Sequence, residues 1–195
     1  MGADQEKHVI VVGGPNGAGK TTWAMRRLPD VLTIRDFVNA DEIARGLSPF
    51  DPESSALTAG RVMIARLDEL VAAGHSFAFE TTCSGRGHVR FLEKCRASGY
   101  RVTLVFLWLP SAEVALARVA RRISQGGHRI SDEVIVRRYA AGLRNMKYLY
   151  LPLADIALIY DNSDDSDTLI AAQHLDGLFM IHDHARWSQI EEATR

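Results

Sequence analysis

Residues 9–22, read as Val9-Ile10-Val11-Val12-Gly13-Gly14-Pro15-Asn16-Gly17-Ala18-Gly19-Lys20-Thr21-Thr22, decide the fold. Gly14, four further residues and then Gly19-Lys20-Thr21 match the phosphate-loop spacing G-x-x-x-x-G-K-[ST]. The stretch is entered from an apolar run, Val9 to Val12, of the kind found in parallel strands covered on both faces, and is left through a helical pattern. Backbone N–H groups can surround a triphosphate only where no Cβ blocks their approach, which Gly14, Gly17 and Gly19 provide. On this reading Gly14, Pro15, Asn16, Gly17, Ala18, Gly19 and Thr22 hold the phosphates of ATP. Lys20 reaches the β- and γ-phosphates, Thr21 puts its hydroxyl on Mg²⁺, and the following helix N-terminus faces the negative charge. The alternative is a glycine-rich strand-to-helix turn with a chance lysine.

Composition narrows the remaining classes. A chain of 195 residues suits one domain, 1–195, and buries a core without disulfides or metal. With 47% apolar residues and a formal net charge of -1, neither disorder nor a membrane span is indicated, and the longest apolar run, Val102 to Pro110, is too short to cross a bilayer. No secretory pattern opens the chain, so a cytoplasmic protein is expected. The near-neutral balance, with no basic block, argues against a nucleic-acid surface. Cys83 and Cys95 lack metal-site spacing and read as reduced thiols, and His182-Asp183-His184 reads as surface beside a turn rather than a metal site.

Working outward from the loop, the pattern alternates strand and helix. His8 to Gly13 is the first strand, and Lys20 to Leu28 is a helix expected to stop before Pro29. Asp36 to Asn39 is a short second strand whose end delivers Asp41 on a loop; Ala56 to Ala73 is a helix, with Ser54 or Ser55 as its cap. Its apolar stripe comprises Leu57, Val62, Met63, Ile64, Leu67, Leu70 and Val71. Ser76 to Phe79 runs into Glu80-Thr81-Thr82-Cys83-Ser84-Gly85-Arg86-Gly87, His88 to Ala97 is helical, and Val102 to Leu109 is the fourth strand. A helix from Ser111 to about Ser124 leads to Gly126-Gly127 and a second arginine-bearing helix. Ala154 to Tyr160 is the fifth strand, followed by Asp161-Asn162-Ser163, and the tail, about 168–194, reads as a small hairpin and a last helix. The expected class is α/β: a P-loop NTPase of nucleotide-kinase type with five parallel strands flanked by helices and a helical arginine-rich lid at about 118–138.

A phosphate loop alone does not separate a kinase from a switch or a motor. Asp41, on the sheet edge that parallel strands share with the loop, is placed to accept a proton from a hydroxyl during phosphoryl transfer; its rival role is a helix N-cap. Glu80, Thr82 and Ser84 offer groups for a polyhydroxy substrate or, at Glu80, a metal-bound water. The lid arginines would neutralise the transferring group and exclude water, the rival being a solvated helical face. A GTPase should show N-K-x-D after its fourth strand, where this chain has Leu107-Trp108-Leu109-Pro110.

The ordered set G-P-N-G-A-G-K-T-T at 14–22, F-V-N-A-D-E-I-A at 37–44, F-E-T-T at 79–82, G-G-H at 126–128 and Tyr160-Asp161-Asn162-Ser163 resembles the zeta-toxin family, as a compact, divergent branch. Thr81 stands where that family has glycine, and the aromatic-rich segment after its aspartate is missing here. The resemblance implies a nucleotide-kinase fold and phosphorylation of UDP-N-acetylglucosamine by ATP and Mg²⁺, with an antitoxin protein as possible partner. It implies that Lys20 and Thr21 bind triphosphate and metal, that Asp41 is the base, and that Glu80 and Thr82, with Ser84 and Arg86 beside them, contact the sugar nucleotide. It further implies that Arg118 and Arg129, then Arg122 and Arg138, grip phosphates, with Asn162 on the nucleotide. A kinase for another polyol, antibiotic or nucleotide, or a non-catalytic ATP-binding module, would show the same phosphate loop.

Overall fold

The computed structural model describes residues 6–31, 34–124, 130–164 and 167–195. Strand β1 (Lys7–Gly13) lies in the interior of the sheet, paired on both sides, because its apolar run has no polar face to offer water. Val9 and Val11 pack with Phe77, Phe79, Leu104 and Trp187, whereas Ile10 and Val12 pack on the other side with Trp23, Leu28, Val105 and Leu107. A strand whose alternate residues enter two separate cores must be covered by helices on both faces.

Around it, α1 (Lys20–Val31), β2 (Asp36–Val38), α2 (Ala40–Leu47), α3 (Ala56–Ala73), β3 (Phe77–Thr81), α4 (Gly87–Ala97), β4 (Tyr100–Trp108), α5 (Ala112–Ser124), α6 (Asp132–Asn145) and β5 (Ile156–Asp161) follow in chain order. The sheet continues through β6 (Thr168–Gln173) and β7 (Phe179–Ile181), and α7 (His184–Ala193) closes the chain. Spatial order is β2-β3-β1-β4-β5-β6-β7. The first five strands are mutually parallel, and the last two join antiparallel. The tail hairpin expected from sequence therefore extends the sheet to seven strands. Its turn closes through a His174 carbonyl that accepts from the Gly177 N–H, and it buries Ile170, Ala171 and Ala172.

Some local expectations are corrected. Helix α1 runs through Pro29 to Val31, since a proline one turn from the end costs only the hydrogen bond that the Met25 carbonyl would have accepted. Neither Ser54 nor Ser55 caps α3 with its side chain; Asp51 instead caps a short 3₁₀ turn, Pro52–Ser55, that feeds the helix. The buried stripe of α3 is Ala59, Met63, Leu67 and Leu70, while Leu57, Val62 and Ile64 face solvent. Its end is sealed by Gly74 in the left-handed region, as the sequence suggested. Among the described residues no helix is long and apolar enough to cross a membrane.

A candidate phosphate-binding cleft

Because β1, β2, β3 and β5 run the same way, their carboxyl ends deliver four polar segments to one edge of the sheet. Between β1 and α1 the chain turns tightly from Gly14 to Gly19. Gly14 and Gly19 have φ of 143° and 80°, and a Cβ would meet the Leu107 carbonyl at Gly14 and Asn162 Nδ2 at Gly19. Only glycine fits either position. Lys20 is 6% exposed, and its ammonium donates to the Pro15 carbonyl at 2.9 Å. Its Nζ stands 3.6 Å from Glu80 Oε1.

Glu80 reaches this point because β3 lies beside β1, with Val12 opposite Glu80 and Gly13 opposite Thr81. The Thr21 hydroxyl donates to Glu80 Oε2 at 2.6 Å, and the Asn39 amide donates to the same oxygen at 2.8 Å. Asn39 also caps α2, its Oδ1 accepting from the N–H groups of Asp41 and Glu42. Asp41 thus lies in the first turn of α2 rather than on a loop, and the capping role weighed for it belongs to Asn39. Its carboxylate is exposed and free to face the cleft.

The cleft has a volume of about 750 Å³. Asn16, Gly17, Gly19, Lys20, Thr21, Thr22, Asp41, Glu80, Arg118, Arg122 and Asn162 line it, so most of the residues singled out by sequence converge there. Gly14, Pro15 and Ala18 shape the loop beneath. Arg118 departs from the lid expected of it. From α5 its guanidinium donates to the backbone carbonyls of Asn162, at 2.5 Å, and Gly17, at 3.4 Å, which fixes it against the phosphate loop. Asn162 is 8% exposed and donates from Nδ2 to the Ala18 carbonyl at 2.6 Å. Thr82 and Ser84 hydrogen-bond each other at 2.8 Å, and Arg86 is exposed at the start of α4; none of the three borders the cleft. Arg138 is half-buried on α6, also outside the lining. Arg129 and the Gly126-Gly127-His128 stretch lie outside the described residues.

Several residues escaped the sequence reading: Arg26, Arg27, Arg45 and Asp167 in the lining, and Asn39 behind it, whereas Arg121 lines the cleft from the arginine-bearing helix expected to face phosphates. Asn39 carried a signal, since Asn39 and Glu42 have N-x-x-E spacing at a helix start. Arg26 follows Thr22 by four positions, one helical turn on the same face. Asp167, held to Arg27 at 2.9 Å, is brought in by the β5–β6 connection and had no local signal. Seven cationic side chains and four carboxylates line the cleft, an excess suited to a polyanion.

Beneath the loop sits Cys83, fully buried, in the left-handed region at φ 57°. Burial pushes its thiol up to about 12, against the opposing pull of the Lys20 charge and the Gly14 N–H. It is a packing group under the phosphate loop.

The residues present fit a nucleoside triphosphate with a divalent cation. The turn carries Gly14, Gly17 and Gly19 at positive φ where a Cβ would strike Leu107, Ala115 and Asn162, Lys20 lines the cleft at its end, and Asn16 Oδ1 is buried without a protein partner. Among the described residues no group of three or more His, Cys, Asp or Glu could hold a metal, so Mg²⁺ would be held by Thr21 and phosphate oxygens, with Glu80 beside them.

Fold and cleft together define a P-loop NTPase of the nucleotide-kinase kind, a mostly parallel sheet flanked by helices. The chain belongs to the AAA domain family, whose model matches residues 9–145. It is 28% identical over 134 residues to an uncharacterized protein of Haemophilus influenzae, a match covering 69% of this chain and 94% of that protein. Among solved structures it resembles a chain of the AvrRxo1-ORF1:-ORF2 complex with ATP, at TM-score 0.77 and 15% identity over 97% of this chain. It spans 65% of the length of that relative. It also resembles a chain of the PezAT chromosomal toxin-antitoxin system of Streptococcus pneumoniae, at TM-score 0.64 and 14% identity, covering 99% of this chain and 88% of that one. At such identities the likeness is one of fold.

Proposed function

We propose that the protein is an ATP-dependent small-molecule kinase that transfers the γ-phosphoryl group to a hydroxyl, with UDP-N-acetylglucosamine as the leading acceptor. The observation that carries this reading is the placement of the exposed Asp41 carboxylate in the same cleft as Lys20, Thr21 and Glu80. Lys20 and the phosphate-loop N–H groups hold the triphosphate. Asp41 accepts the acceptor's hydroxyl proton as that oxygen bonds to phosphorus, and the bond from the γ-phosphorus to its bridging oxygen breaks to release ADP. Mg²⁺, which Thr21 would help to hold, would supply charge neutralisation at the triphosphate. Glu80, which accepts the Thr21 hydroxyl, would orient water on a bound cation, a role on the metal side rather than with the sugar nucleotide. Thr82, Ser84 and Arg86 serve the acceptor from the loop beyond it. Arg118 shapes the phosphate loop, and Arg122 with Arg26, Arg27 and Arg121 supplies positive charge along the nucleotide. The resemblance to chains solved in two-component complexes supports a protein partner of antitoxin type.

The test is incubation with Mg·ATP and UDP-N-acetylglucosamine, followed by mass spectrometry for an acceptor heavier by one phosphoryl group. Product that vanishes in Asp41→Ala, with ATP binding retained, supports the reading. Phosphorylation of a different hydroxyl compound keeps the kinase and replaces the acceptor. Tight Mg·ATP binding with no product from any acceptor would sink the kinase reading in favour of a nucleotide-sensing module.

A further inference from the structure

The C-terminal helix α7 lies beyond the family match, which ends at residue 145. Even so, it is joined to the phosphate loop by a short run of polar contacts. Asp161, the last residue of β5, is 3% exposed. Its Oδ1 accepts from the Ser163 N–H at 2.9 Å, and its Oδ2 takes Nε of Arg186 at 2.6 Å. Arg186 is also bound through Nη1 to Asp183, the N-cap of α7, so one guanidinium bridges two carboxylates. The next residue in the chain, Asn162, donates its side-chain amide to the Ala18 carbonyl and receives Arg118 on its own carbonyl. Asn162 Nδ2 packs so closely on Gly19 that a Cβ built there would lie only 2.9 Å from it. From Arg186 to the phosphate loop the path is therefore Arg186, Asp161, its neighbour Asn162, then Ala18 and Gly17.

We infer that Arg186 is a positioning residue for the nucleotide site: by clamping the buried Asp161 carboxylate to the start of α7, it sets the place of Asn162, and Asn162 with Arg118 sets the curvature of the phosphate loop. The inference rests on the reading of this cleft as a nucleotide site, and on no part of the acceptor chemistry. Arginine suits the task because its planar fork satisfies two carboxylates at fixed angles, which a lysine ammonium does not. Asp161 is 3% exposed and Arg186 is its ionic partner, so removing Arg186 leaves the carboxylate with an uncompensated desolvation cost that a shift of the β5 terminus would relieve.

The experiment compares Mg·ATP dissociation constants by titration calorimetry for the wild-type chain, Arg186→Gln, Arg186→Lys and the control Lys147→Gln. Lys147 ties the same helix to the body through Glu191 at 3.5 Å, and its ion pair includes neither Asp161 nor Asp183. Arg186→Gln should raise the dissociation constant about tenfold, and Arg186→Lys about threefold, the range seen when a contact network that biases a site is cut. Lys147→Gln should stay within about twofold of wild type even where its melting temperature falls, because loosening α7 alone does not move Asn162. Equal weakening in Arg186→Gln and Lys147→Gln, or wild-type affinity in Arg186→Gln, would overturn the inference. If Arg186→Gln does not fold, Arg186→Lys decides: a weakened dissociation constant supports the inference and an unchanged one overturns it. Wild-type protein that binds Mg·ATP but phosphorylates nothing defeats the kinase reading and leaves this one standing, whereas wild-type protein that binds no Mg·ATP defeats both.

Discussion

Glu80 Oε2 accepts the Thr21 hydroxyl at 2.6 Å, joining the last part of β3 to the first turn of α1 at the mouth of the phosphate loop. Glu80 Oε1 faces the Lys20 ammonium at 3.6 Å, so one carboxylate contacts both side chains that the loop motif requires. Its side chain is only 11% exposed, which makes its charge matter. Glu80→Gln keeps the shape and loses the charge. It should lower turnover roughly 10- to 100-fold and raise the Mg²⁺ concentration needed for half-maximal rate, as expected for a group that orients a metal's surroundings. Rates measured across a Mg²⁺ titration check this, and an unchanged Mg²⁺ dependence would remove Glu80 from the metal side.

Two helix glycines should respond to alanine in opposite directions. Gly60 in α3 has open space where a Cβ would go, so Gly60→Ala should stabilise the fold by about 0.5–1 kcal/mol through helix propensity and a less disordered unfolded chain. At Gly142 in α6 the new Cβ would press on the Thr82 backbone carbonyl. That contact holds α6 against the β3–α4 connection, where the Asn145 amide also donates to the Cys83 carbonyl at 2.8 Å. Gly142→Ala should therefore lose about 1–3 kcal/mol despite the same gain in propensity. Denaturant melts of the two variants give both signs directly.

Both thiols should be inert in the folded protein. Cys83 and Cys95 are fully buried, and burial raises them to about 12 and about 11, so almost no thiolate exists at pH 8 to attack an alkylating reagent. Iodoacetamide followed by mass spectrometry should show neither site modified natively and both modified in guanidinium. Rapid native labelling of Cys83 would mean that the phosphate loop opens far more often than its packing allows.

Stability should fall on mild acidification, in part through His88. Burial lowers its imidazole from the usual 6.5, and its ring packs on Phe79 with centroids 5.0 Å apart. A base with a depressed folded-state value binds fewer protons folded than unfolded. Its contribution is neutral above pH 6.5 and turns destabilising as the pH falls from there through the lowered value. His88→Gln should flatten the stability profile between about pH 7 and pH 5, where His titrates. Urea melts at the two pH values measure the difference, and an equal acid sensitivity in the variant would assign the loss to other groups.

Much of the fold was legible because its signals are local. The phosphate loop declares itself through glycine spacing, β1 through an unbroken apolar run, and the end of α3 through Gly74. The limits of local reading are just as specific. Leu57, Val62 and Ile64 satisfy a helical stripe on paper yet face solvent, since α3 is covered on one narrow face only. Arg118 looked like part of a lid because it neighbours Arg121 and Arg122. Its side chain instead reaches a loop 101 residues earlier in the chain.

By itself the sequence determined that this protein is a P-loop α/β domain with Lys20 and Thr21 closing the phosphate-loop motif and a carboxylate, Asp41, after the second strand. Those features depend on backbone geometry and periodicity within a few residues. Only the tertiary structure decided that Glu80 meets Thr21 and Lys20, that Asn39 rather than Asp41 caps α2, that the tail hairpin completes the sheet, and that α7 reaches Asp161. Each of these depends on which strands become neighbours. Strand order is set by the joint burial of two cores, one on each face of β1, a property of the whole chain that no short window of it contains.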